Sequence, residues 1–85
     1  MKRIFKYVLT GEVSRSIVSM PAMASVIHFA VQDDKFCIWA IVDDEGPVGD
    51  RTFWVRPTGG AVVEGTYFLF TTLDGPFVWH LFEAI

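Results

Sequence analysis

The chain has 85 residues, room for one domain with a thin core. Its 52% apolar and 15% aromatic content is too high for disorder and high for a lone small domain, while a net charge of −3 argues against sequence-independent binding of duplex nucleic acid, where cationic contacts supply the affinity. The single cysteine, Cys37, excludes an intramolecular disulfide framework and fits a reducing cytoplasm; the N-terminal segment lacks the continuous apolar stretch of a signal peptide, and no run approaches the ~18 apolar residues of a membrane span.

Apolar side chains recur with a period of two nearly throughout, and β-branched and aromatic residues dominate, so the elements read as strands. RIFKYVL (3–9) sets Ile4 and Val8 around Lys6 on one face and Phe5, Tyr7 and Leu9 on the other. SRSIVSM (14–20) reads as a more polar strand with Ser14, Ser16 and Ser19 outward, and PAMA (21–24) as a bend. ASVIHFAVQ (24–32) divides Ile27, Phe29 and Val31 from Val26, His28, Ala30 and Gln32. Asp33-Asp34 spaces it by two residues from KFCIWAIV (35–42), which predicts a tight hairpin. That second strand is apolar on both faces and belongs in the centre of a sheet. DDEGPVGD (43–50) is an acidic loop, RTFWVR (51–56) a strand and PTGGAVVEG (57–65) a loop or wide turn. TYFLFTTL (66–73) leads into an Asp74-Gly75 turn, with Pro76 opening the last strand, FVWHLFE (77–83). About seven short strands in the order of an antiparallel meander predict an all-β sandwich or small barrel, a single domain over 1–85 with little or no helix.

In FVWHLFE, alternation puts Phe77, Trp79, Leu81 and Glu83 on one side and Val78, His80 and Phe82 on the other. Of the first set, Phe77, Trp79 and Leu81 are assigned to the core. A sandwich buries only its inner faces, so Val78 and Phe82 are expected at a contact between copies, and His80 there or at a pocket wall. The excess of apolar surface predicts a homo-oligomer.

The opening KRIFKYVL, the MPAMA bend, the IWAIVDD run, the RTFWV strand with its glycine turn and the FVWHLFE ending occur in a familiar order. The most specific pieces are the opening strand, the W-A-x-V-D segment from Trp39 to Asp43, and F-V-W-H-x-F-E. Over nearly the whole chain this resembles a domain-of-unknown-function family of small proteins found in phages, prophages and bacteria. That family usually carries a Gly-Thr-Gly turn where this chain has Pro57-Thr58-Gly59-Gly60. The resemblance implies a small phage-type accessory protein in the host cytoplasm, of a kind that often handles host defences, and it brings no catalytic residues.

Candidate chemistry is sparse. His28 and His80 sit in strand interiors and would have to meet across a sheet to hold a metal; neither they nor Cys37 show metal-ligand spacing, so packed histidines and no metal are expected. Cys37 has no cationic neighbour in sequence and reads as a structural thiol. Asp33-Asp34 and Asp43-Asp44 fall in turns, which explains them without acid–base chemistry. The acidic loop lacks the ligand spacing of a calcium site. PTGG is no P-loop, although a tight turn can still offer N–H groups to a phosphate. No catalytic residue, cofactor or enzymatic activity is expected.

Trp54 and Arg56 share a strand face with Thr52, and Thr58 and the glycine turn follow at once; Arg51 lies on the opposite face with Phe53 and Val55. An indole beside a guanidinium suits a base and a phosphate. Trp54, Arg56, Arg51, Thr58 and His80 are therefore the candidate ligand contacts, for a binder that sequesters a small anionic, nucleotide-type signal. A second expectation is a protein–protein inhibitor of a host defence complex working through Asp43, Asp44 and Glu45, with Asp33 and Asp34. A third is a structural or virion-associated oligomeric module.

Overall fold

A computed structural model describes residues 1–10 and 15–85. Its strands are β1 (Lys2–Val8), β2 (Arg15–Pro21), β3 (Ser25–Gln32), β4 (Lys35–Asp43), β5 (Val48–Pro57), β6 (Thr66–Asp74) and β7 (Phe77–Ala84), and there is no helix among the described residues. They form two antiparallel sheets, ordered β1–β4–β3 and β2–β5–β7–β6, stacked as a small sandwich. β4 is central, as its two apolar faces require. The sheets approach each other most closely along β3 and β6.

The strand order departs from a meander. Only β3–β4 and β6–β7 are hairpins; β1 crosses to β4, β2 to β5, and β5 to β7. One open seven-stranded layer would leave a whole apolar face wet. Moving β2 and β5–β7 into a second layer gives both inner faces a partner.

The core is Leu9, Val18, Met20, Ala24, Phe29, Ile38, Ala40, Val42, Phe53, Val55 and Leu81, with Tyr7, Val26, Phe36, Leu69, Phe70 and Trp79 packed around it. Phe36 meets Trp79 edge to face at 5.1 Å, tying β4 to β7 across the layers. Phe77, assigned to the core, is instead exposed at the sandwich end, beside the turn.

Several boundaries and faces moved for identifiable reasons. β5 begins at Val48 rather than at Arg51, because Val48, Gly49 and Asp50 pair with Pro21, Met20 and Ser19. The acidic loop thus shrinks to 44–47. Ser16 is buried on the inward face with Val18 and Met20, not outward, because pairing with Phe53 fixes that face; Ser14 lies outside the described residues. In β3 a bulge falls between Val26 and His28, so Val26 and Phe29 both face the core and Ile27 is extruded. Asp33 and Asp34 make the β3–β4 turn with φ of 53° and 61°, the left-handed pair a two-residue hairpin demands. In the β6–β7 turn, Gly75 (φ 56°) and Pro76 are the two central residues. Pro76 is therefore in the turn rather than first in β7: glycine supplies the positive φ and proline the negative one.

Candidate functional site

The exposed face of the four-stranded sheet gathers most of the candidate residues. Arg15 lies opposite Trp54, Trp54 opposite Phe82, and Phe82 opposite Phe68, so one row crosses β2, β5, β7 and β6. Phe68 and Phe82 meet edge to face at 5.8 Å. Strand spacing puts about 10 Å of backbone between the ends of the Trp54–Phe82–Phe68 run. In the next row Arg56 lies opposite His80, and His80 opposite Thr71. The indole of Trp54 therefore has a guanidinium-bearing residue across the strand, Arg15, and another two residues along, Arg56. Val78 and Leu73 continue the face toward the β6–β7 turn.

His80 is held at both ring nitrogens. Nε2 shares a hydrogen bond with Thr58 Oγ1 at 2.9 Å and Nδ1 with Thr71 Oγ1 at 2.8 Å. It is a satisfied histidine whose ring orientation is fixed. The Pro57–Gly60 turn sits beside it. Gly60 N–H donates to Pro57 O, and Gly59 adopts φ 89°, which only glycine takes without strain. Thr58 N–H donates to Val78 O. Two of the turn's N–H groups, those of Thr58 and Gly60, are thus spent inside the protein rather than offered to a phosphate. Arg56 Nε donates to Ala61 O and Nη1 to Val55 O, which pins the 58–65 loop to the edge of the face.

Arg51 does not join this face. It points inward with Phe53 and Val55, and its Nε and Nη2 donate to Glu83 Oε2 and Oε1 at 2.6 and 2.7 Å. Nη1 donates to Ala24 O, and Tyr67 Oη donates to Glu83 Oε1 at 3.0 Å. Glu83 is 4% exposed, so its charge is balanced only by this geometry. The Glu83 hydrogen bonds, above all, hold the Arg51 guanidinium above its ordinary pKa. Arg51 is a structural cation, removed from the ligand contacts because the partner that neutralises it is buried beside it. This network lines a cleft of about 610 Å³ at one end of the sandwich, with Ala22, Met23 and Ile85 at its rim.

The acidic residues 43–45 are also engaged internally. Asp44 accepts from Arg3 Nε at 2.5 Å and from the Met1 ammonium at 3.1 Å. The Arg3 bond, then the ammonium, pull the Asp44 carboxyl below its usual range. Asp43 caps Glu45 N–H and lies 3.4 Å from the same ammonium. Glu45 is the most exposed of the three, at 86% against 59% for Asp43 and 25% for Asp44.

His28 is on the outer face of the three-stranded sheet, 5.4 Å from the Trp39 ring, so the two histidines occupy opposite outsides of the sandwich and cannot share an ion. No group of three or more His, Cys, Asp or Glu side chains suited to a metal gathers among the described residues. Cys37 is buried, its thiol directed at Lys35 O.

Arg15, Phe68, Thr71 and Leu73 were missed by sequence reasoning. Alternation alone puts Phe68 and Arg15 on one face or the other, but only the β2–β5 and β6–β7 registers bring them into the Trp54 row.

Comparison with known proteins adds the family. A family model described as Domain of unknown function (DUF7352) matches residues 1–85. The chain belongs to this family. No curated protein matches it, and no solved structure does. No helix among the described residues is long and apolar enough to cross a membrane.

Proposed function

We propose that this protein is a non-enzymatic binding module that captures a small anionic ligand carrying an aromatic base, of the nucleotide type, on the outer face of its four-stranded sheet. The observation that carries the reading is the row of Arg15, Trp54, Phe82 and Phe68 with Arg56 one row away. Aromatic rings on a sheet surface stack bases at about 1–3 kcal/mol each, without regard to base identity. Guanidiniums beside them supply phosphate attraction. Among the described residues, Arg15 and Arg56 bring guanidinium groups to this face in a chain of net charge −3. The phage-type setting that the sequence resemblance implies makes sequestration of a nucleotide immune signal in the host cytoplasm its natural task.

The inhibitor reading loses support, because Asp44 and Asp43 are occupied by Arg3 and the Met1 ammonium. A calorimetric screen of cyclic di- and trinucleotides, ADP-ribose derivatives and AMP tests the proposal. Binding weakened by Trp54→Ala by about 1–3 kcal/mol supports it; no heat from any of them at high micromolar concentration ends it.

A further inference from the structure

We infer that β1 is a docking edge for an extended, acidic segment of a partner protein, which adds to the three-stranded sheet as a further strand. This site is separate from the platform on the other sheet and stands without it.

The two sheets have four edge strands, β1 and β3 in one and β2 and β6 in the other. Unpaired edges invite foreign strands, and proteins blunt them with bulges, proline, charge or cover. β3 and β6 each carry a break in register, and the sheets lie closest along these two strands. β2 ends in Pro21 and buries every second side chain. β1 has none of these protections. Its pairing with β4 runs unbroken from Lys2 opposite Asp43 to Val8 opposite Cys37, and residues 2–6 are all exposed. Both of its faces are open: Ile4, on the outer one, is 64% exposed, and Phe5, on the inner one, 38%. What guards β1 is charge, in Lys2, Arg3 and Lys6.

That charge selects the partner. Arg3 is matched by Asp44. Lys6 gives its ammonium to the neutral Gln32 Oε1 at 2.8 Å, and Lys2 makes no ion pair among the described residues. Lys2 and Lys6 share the outer face about 13 Å apart, with Ile4 between them and Ile41 beside Ile4. A strand laid along β1 sets its own alternate side chains opposite these three residues, and opposite charges so placed attract. The fitting segment is therefore acidic, any residue, apolar, any residue, acidic. In such an addition main-chain hydrogen bonds give affinity and the alternate side chains give specificity. A second copy of this chain fits poorly. β1 against β1 lines up Lys2 and Lys6 of both copies along one shared edge, and neither strand contains a carboxylate.

The test uses the isotope-labelled full chain and two capped heptapeptides, Thr-Glu-Thr-Val-Thr-Glu-Thr and its counterpart with lysine at both glutamate positions. The expected result is a monomer of 9.6 kDa without peptide. The glutamate peptide at millimolar concentration should shift the β1 amides and slow their hydrogen exchange, leaving β6 and β7 unchanged, and added salt should weaken it. Lys2→Glu with Lys6→Glu, both at exposed positions, should fold normally, weaken the glutamate peptide at least about fivefold and bind the lysine peptide in its place. No change at β1 with the glutamate peptide overturns the inference, as does equal binding of the lysine peptide by the unaltered chain. A peptide-free dimer whose β1 amides are protected overturns it too, since the edge then serves a second copy.

Discussion

Removal of Arg51 is the sharpest test of how the inner layer is held. Arg51→Ala would leave the Glu83 carboxylate, 4% exposed, with Tyr67 as its remaining hydrogen-bond partner. Breaking a buried pair by deleting one partner costs about 3–5 kcal/mol, because the surviving charge stays desolvated. A domain of this size has roughly 4–13 kcal/mol in total. The loss is thus a large share of the stability. With an urea dependence of about 1.3 kcal/mol per molar, the midpoint should fall by about 2–4 M. Tryptophan fluorescence follows the transition, since Trp79 packs against Phe36 in the interior. The paired replacement Arg51→Met with Glu83→Leu should recover most of the loss, since an apolar pair needs no desolvated charge. A single Arg51→Ala costing under about 1 kcal/mol would refute the account of Glu83 as a charge balanced by this one guanidinium.

Other expectations follow the same geometry. Asp34→Gly, at φ 61°, should raise stability by about 0.5–1 kcal/mol in urea titration, because glycine takes the left-handed turn without strain. Phe53→Ala, at a fully buried position, should cost about 3–5 kcal/mol. Asp44 has a folded pKa below its unfolded value of 3.8, so its contribution is complete above that pH and is lost as pH falls through the folded value. Asp44→Asn should flatten this part of the acid limb of stability against pH, and added salt should shrink the difference between the two proteins. Trp54→Ala should leave the unfolding midpoint nearly unchanged while weakening nucleotide binding by about 1–3 kcal/mol, measured by calorimetry.

Much of the fold was legible because alternation is strong in these strands. The two apolar faces of 35–42 forced β4 to the centre, and the two-residue spacer at Asp33-Asp34 fixed a hairpin. What alternation cannot carry is which strands pair at long range. Alternation groups Arg51 with Phe53 and Val55, and Glu83 with Trp79 and Leu81, yet the bond between them exists only because β5 lies beside β7 with Phe53 opposite Glu83. The same gap made Arg51 look like a ligand contact. The β3 bulge is a second case: one extruded residue, Ile27, moved Val26 to the core face. Trp54, Arg56 and Thr58 were readable as neighbours because they lie in one strand and the turn after it, whereas Val78 and Phe82, read as contacts between copies, share that face only through the pairing of β5 with β7. Arg15 and Phe68 were not readable, because they come from strands whose registers the sequence does not state.

The most direct test of the platform is the map of backbone and indole NMR shifts on titration with AMP. The account predicts that the largest changes fall on Trp54, including its indole N–H, and on Arg15, Arg56, His80, Phe82 and Phe68, with β1 and β4 quiet. Changes confined to the cleft around Ala22–Ala24 and Tyr67, or to the outer face bearing Trp39 and His28, would contradict it.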